Sequence, residues 1–160
     1  MYDTKIDLPL AVREQTIKLL QARLADSVDL FTQAKQAHWN VKGPHFFALH
    51  ELFDSVAEVV EEHSDLLAER ITALAGRADG TARQVAAQSQ LDDYPIETVT
   101  GDQHVAAVAR QLAAFGKSVR ADIDAATQLG DADTADIFTE VSREIDKKLW
   151  LVEVHLQGQS

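Results

Sequence analysis

The chain contains no cysteine. Disulfides and thiolate ligands are thereby excluded, and any metal site must be built from nitrogen and oxygen donors. No apolar run approaches the ~20 residues needed to span a bilayer. Basic residues are outnumbered, 15 Lys and Arg against 26 Asp and Glu, for a net charge of −11. That balance argues against a general nucleic-acid surface, which needs clustered Lys and Arg, and suits cations. The opening residues Met1 to Asp7 lack the basic head and apolar run of a signal peptide, so a cytoplasmic location is expected. Hydrophobic residues make up 46% of the chain, which excludes disorder, and 160 residues suffice for one domain with a real core.

What the chain does have is helical periodicity, with Pro and Gly falling mainly between segments. A first helix is expected from about Pro9, carrying Ile17, Leu20, Leu24, Val28, Phe31 and Ala34, and stopped by Gly43-Pro44. A second runs from about His45 to Ala75 with Leu49, Phe53, Val56, Val60, Leu67, Ile71 and Leu74 on one stripe; Gly76 ends it. Residues 77–101 form a long crossover in which Arg83 to Gln90 can make a short helix. Asp102 is expected to cap a third long helix ending at Gly130. A fourth spans about Asp133 to His155, with Ile137, Val141, Ile145, Leu149 and Val152 inward. The expected fold is all-α, a ferritin-like four-helix bundle with a short helix in its middle crossover, preceded by a short tail at residues 1–8.

Five residues stand out: His38, His50, Asp54, Asp65 and Glu69, spaced 12, 4, 11 and 4 apart. Imidazole and carboxylate donors suit a borderline divalent metal such as iron or zinc. Residues four apart share a helix face, so His50 with Asp54 forms one patch and Asp65 with Glu69 another. Both face nearly the same direction, yet their centres lie about 22 Å apart along the axis. One chain cannot bring them to one ion. An antiparallel second copy can, because both pairings, 50 with 69 and 54 with 65, are centred between Val59 and Val60. A two-fold interface then makes the site twice. The expectation is an intersubunit metal centre in an obligate oligomer.

The segment His38-Trp39-Asn40-Val41-Lys42-Gly43-Pro44, with Leu49-His50, Phe53-Asp54 and Asp65-Leu66-Leu67-Ala68-Glu69-Arg70, resembles the Dps family of mini-ferritins. The stretch Asp133 to Ile137, Asp146 and Leu149-Trp150 is similar to that family's last helix. The resemblance covers nearly the whole chain. It implies a hollow dodecamer whose dimer interfaces each carry ferroxidase centres for two irons. His38, His50 and Asp54 would come from one subunit, Asp65 and Glu69 from the other. It further implies Fe(II) and hydrogen peroxide as substrates and ferric mineral as the stored product, with zinc a possible substitute metal.

Few side-chain ligands leave open positions for water and oxidant, as a reactive site requires. Glu69, with the longer reach, is the expected bridge, and two irons about 4 Å apart would deliver two electrons to one peroxide. Trp39 is either packing or, as the resemblance suggests, a radical quencher; Glu51 is either a mineral-nucleating or an ordinary surface glutamate. Asp131, Asp133 and Asp136 are candidates for an acidic entry pore, although Asp131 or Asp133 can equally cap the fourth helix. His63 falls on the core stripe, as a hydrogen-bonded core histidine or an extra ligand with His155. His45 and His104 read as loop or helix-start residues. No histidine follows a glutamate by three, which disfavours the in-bundle di-iron class, and Gly116-Lys117-Ser118 lacks the earlier glycine of a phosphate loop. Members of the family that bind DNA use a Lys/Arg-rich tail. Residues 1–10 here hold one Lys and two Asp, and no Lys or Arg follows Lys148, so direct DNA binding is doubtful. A DNA-packing shell remains the alternative.

Overall fold

The computed structural model describes residues 1–157. Five helices follow one another: α1 (Leu10–Asn40), α2 (Phe46–Ala73), α3 (Ala82–Gln88), α4 (Gly101–Leu129) and α5 (Ala132–Glu153). The α1–α2 and α4–α5 pairs pack most extensively, and α1 against α4 and α2 against α5 close the bundle. The short α3 lies along α1 within the crossover.

Chain punctuation accounts for the boundaries. Pro9 precedes α1 as its N-cap, where its missing N–H costs nothing. α2 closes with Ala75 at φ 65°, Gly76 N–H donating to Ile71 O at 2.9 Å and Ala75 N–H to Thr72 O at 2.9 Å, the Schellman arrangement. Glycine was expected at the left-handed position, yet Gly76 comes one residue later. It is needed there because a Cβ would stand 2.8 Å from Ile17 Cδ1. α4 is capped by Thr100 rather than Asp102: the Thr100 hydroxyl accepts from Gln103 N, and Gln103 Oε1 accepts from Thr100 N at 3.1 Å. The Thr-x-x-Gln capping box satisfies two end donors at once, and Asp102 sits in the first turn behind it.

All seven residues of the predicted α2 stripe are at most 2% exposed. In α1, Leu20, Leu24 and Ala34 are buried while Ile17, Val28 and Phe31 pack at the core's edge. Full burial of such side chains contributes about 1.5–3 kcal/mol each. The crossover is tied to α1 by polar contacts: Gln90 N–H donates to Asp26 Oδ1 at 2.7 Å, Ser89 Oγ to Asp29 Oδ2 at 2.6 Å, and Gln33 and Gln111 both donate to Asp92 O.

One polar joint fixes the far end of α2. Arg70 donates to Asp131 Oδ1 at 2.8 Å and to Thr134 Oγ1 at 2.9 Å. Asp131, its side chain 1% exposed, also accepts from Thr134 N–H as the N-cap of α5. Arg70→Met would strand a buried carboxylate and is expected to cost about 3 kcal/mol. Urea denaturation checks this, and a loss below about 1 kcal/mol would show that the cap alone satisfies Asp131.

Candidate metal centre

His38 sits in the last turn of α1 and His50 in the second turn of α2. Their rings stack with centroids 3.7 Å apart and planes 19° from parallel. Each is held by the other's backbone: His38 Nδ1 lies 2.8 Å from His50 O, and His50 Nδ1 lies 2.9 Å from His38 O. A carbonyl can only accept, so each Nδ1 carries the proton and each Nε2 keeps its lone pair. Anchoring of the non-ligating nitrogen in this way orients a metal-binding imidazole.

Asp54 lies nearby, with Oδ1 3.9 Å from His38 Nδ1 and 2.5 Å from Lys35 Nζ. The Lys35 hydrogen bond holds the Asp54 carboxyl below its ordinary value. The group is therefore ionised and ready to ligate at neutral pH. Asp65 and Glu69 lie on the same helix, exposed, beyond Val60. At 1.5 Å per residue the two pairs are separated by about 22 Å. Among the described residues of one chain, no three His, Asp or Glu are placed to hold an ion together.

The chain matches the ferritin-like domain family over residues 17–159. It is 39% identical over 159 residues to the DNA protection during starvation protein of Agrobacterium fabrum, a match covering 99% of this chain and 98% of that one. The chain belongs to the Dps family. Its fold superposes on the tetragonal form of Mycobacterium smegmatis Dps with a TM-score of 0.93 at 30% identity, covering 98% of this chain and 96% of that one. Microbacterium arborescens Dps in its high-iron form matches with a TM-score of 0.87 at 29% identity, over 92% and 96% of the two chains.

In this Dps-family chain the remaining candidates separate clearly. Trp39 is 67% exposed, so it is not packed in its own bundle core. Glu51 is exposed. Of the two roles open to Asp131, the structure shows the helix cap: it is buried, caps α5 and is held by Arg70. Asp133 and Asp136 are exposed. His63 is the core histidine expected, its Nε2 2.7 Å from Glu144 Oε2. His104 lies in the first turn of α4, as expected of a helix-start residue, and is 1% exposed and hydrogen-bonded to Tyr94.

Sequence reasoning missed Lys35. Its position one turn before His38, on the His38 side of α1, is the signal that was available. Its ammonium occupies one Asp54 oxygen that an incoming cation would take. Lys35→Met is expected to tighten Zn(II) or Co(II) binding about tenfold, the loss of a charge-assisted competitor worth ~1.5 kcal/mol. Titration calorimetry near neutral pH measures it; equal or weaker affinity in the variant would exclude competition.

Proposed function

We propose that this Dps-family chain oxidises Fe(II) at intersubunit centres, consumes peroxide, and stores the ferric product in a hollow dodecameric shell. The observation that carries the reading is the reciprocal histidine lock, which leaves two imidazole lone pairs beside an ionised Asp54 in a ferritin-like chain. The high-iron form of the Microbacterium relative supports iron as cargo. Large apolar side chains on the isolated chain support assembly: Phe47 is 72%, Ile96 74% and Trp150 59% exposed.

The donor set fits iron. Neutral imidazoles hold Fe(II) without adding charge, and carboxylates gain strength as the ion becomes Fe(III). His38, His50 and Asp54 would bind from one subunit, Asp65 and Glu69 from the partner, with Glu69 as the bridge. Two Fe(II) each release one electron, the O–O bond of peroxide breaks, and two protons complete two waters. Zinc would bind the same donors without turnover. The relatives' name speaks of DNA protection, and removal of Fe(II) with peroxide protects DNA without contact. Direct packing of DNA is the second reading; that name favours it, and the net charge of −11 opposes it.

Chain complementation is the decisive experiment. His50→Ala and Asp65→Ala are each expected to lower peroxide-driven ferric absorbance to the rate of iron in buffer. Dissociated and reassembled together, a mixed dimer regains one complete site and one doubly damaged site. Random mixing should therefore restore about a quarter of wild-type activity. No restoration would place all five residues in one chain's site or in none.

A further inference from the structure

Half-buried Tyr94 and buried His104 form a hydrogen-bonded pair that the centre described above does not use. Tyr94 lies in the crossover and His104 in the first turn of α4. The phenol oxygen is 2.5 Å from His104 Nδ1. The rings lie nearly parallel, 22° apart, with centroids 6.1 Å from each other. In the tautomer with the imidazole's own proton on Nε2, Nδ1 accepts the phenolic hydrogen bond. Nε2 faces the Asn40 carbonyl without closing a hydrogen bond to it. Burial lowers the affinity of His104 for a second proton and pushes the Tyr94 phenol upward, so both are neutral in the resting protein.

The pair adjoins the candidate centre on two sides. His104 packs on Phe53, centroids 6.4 Å apart, and Phe53 precedes Asp54. Asn40 follows His38 by two residues. Tyr94 and Trp39, the residue next to His38, line one surface cavity of about 580 Å³. The chain's other tyrosine, Tyr2, is 71% exposed and lies on the N-terminal segment.

We infer that Tyr94 is a proton-coupled electron donor to the iron centre, with His104 Nδ1 receiving its proton. The inference rests on the iron-oxidising reading. A site holding a single Fe(II) can give peroxide only one electron, and one-electron cleavage releases hydroxyl radical. Tyr94 supplies the second electron. Its O–H bond breaks, the proton crosses to His104 Nδ1, and the electron passes to the reacting oxygen by way of Trp39 or Phe53. Fe(II), the phenol–imidazole pair, one peroxide and two protons from water yield Fe(III), a neutral phenoxyl, protonated His104 and two waters. Charge and atoms balance without any further reagent. The 2.5 Å hydrogen bond matters because loss of an electron from a phenol that keeps its proton is far less favourable.

The test follows radical and iron in the same samples. The assembled apo protein, carrying ring-deuterated tyrosine, receives about one Fe(II) per site, then peroxide, and is freeze-quenched for paramagnetic resonance. The expected signal is a tyrosyl radical narrowed by deuteration, at least tenfold weaker in Tyr94→Phe, with more spin-trapped hydroxyl radical in that variant. Ferric absorbance without a tyrosyl signal, or a signal undiminished in Tyr94→Phe, would overturn the inference and leave iron oxidation standing. Absent ferric absorbance would overturn both. An iron-free arm uses a flash-generated ruthenium(III) oxidant on the apo protein. There, a Tyr94 radical yield several-fold lower in His104→Gln supports the proton transfer, and equal yields would exclude His104 as the acceptor.

Discussion

A straight helix cannot fold back on itself, and that stiffness governs the whole arrangement. α2 runs 28 residues from Phe46 to Ala73 with no Pro or Gly to bend it. Its apolar stripe must face α1, α4 and α5, which fixes its rotation about its axis. With rotation and straightness fixed, His50–Asp54 and Asp65–Glu69 are held about 22 Å apart. No rotamer change closes such a gap. Either the two pairs serve separate purposes or a second chain supplies the missing half, and the common midpoint of the pairs favours the second chain.

Geometry at the histidine half is set before any cation arrives. Two carbonyls near the α1–α2 connection, His38 O and His50 O, each accept a proton from the opposite ring. α1 thus ends in contact with the start of α2, and neither ring is free to rotate. Pre-organisation of this kind reduces the ordering that binding would otherwise demand. Lys35 works in the opposite sense, pairing its ammonium with the Asp54 carboxylate that a cation would bind. The far end of α2 has its own anchor in Arg70, which ties the helix to the α4–α5 turn immediately after Glu69. Both halves of the candidate centre are therefore braced from within their own subunit.

Periodicity made the bundle legible. The α2 stripe, the short crossover helix and the stop at Gly130 can all be read from spacing and turn residues, because each rests on local rules. What stayed hidden depends on contacts across the chain. Asp131 reads equally as pore or cap until Arg70, 61 residues earlier, is seen to hold it. His104 resembles any polar residue at a helix start; only the crossover's path, pinned by Gln33 and Gln111, brings Tyr94 over it. Asp102 was preferred as a cap because aspartate is a strong one, whereas Thr100 with Gln103 satisfies two donors. For the candidate centre, residue type and spacing pointed to the donors, while the orienting carbonyls and Lys35 have no signature of their own.

The bundle interior explains why a redox centre would sit at its margin. In-bundle di-iron sites need glutamates and histidines on inward faces of several helices. Here the inward faces hold Leu, Val, Ile and Phe, and the chief ionic exception sets one guanidinium between two carboxyls. Arg23 lies 3.2 Å from Asp26 and 3.4 Å from Asp122. Its guanidinium stands where a cation would have to enter between them. Burial still raises both carboxyls above their ordinary values, so this interior tolerates charge poorly. A centre that must admit water, peroxide and a cation therefore belongs at a surface. The candidate donors lie at the bundle margin, on the end of α1 and along α2, where a partner subunit could enclose them without opening the core.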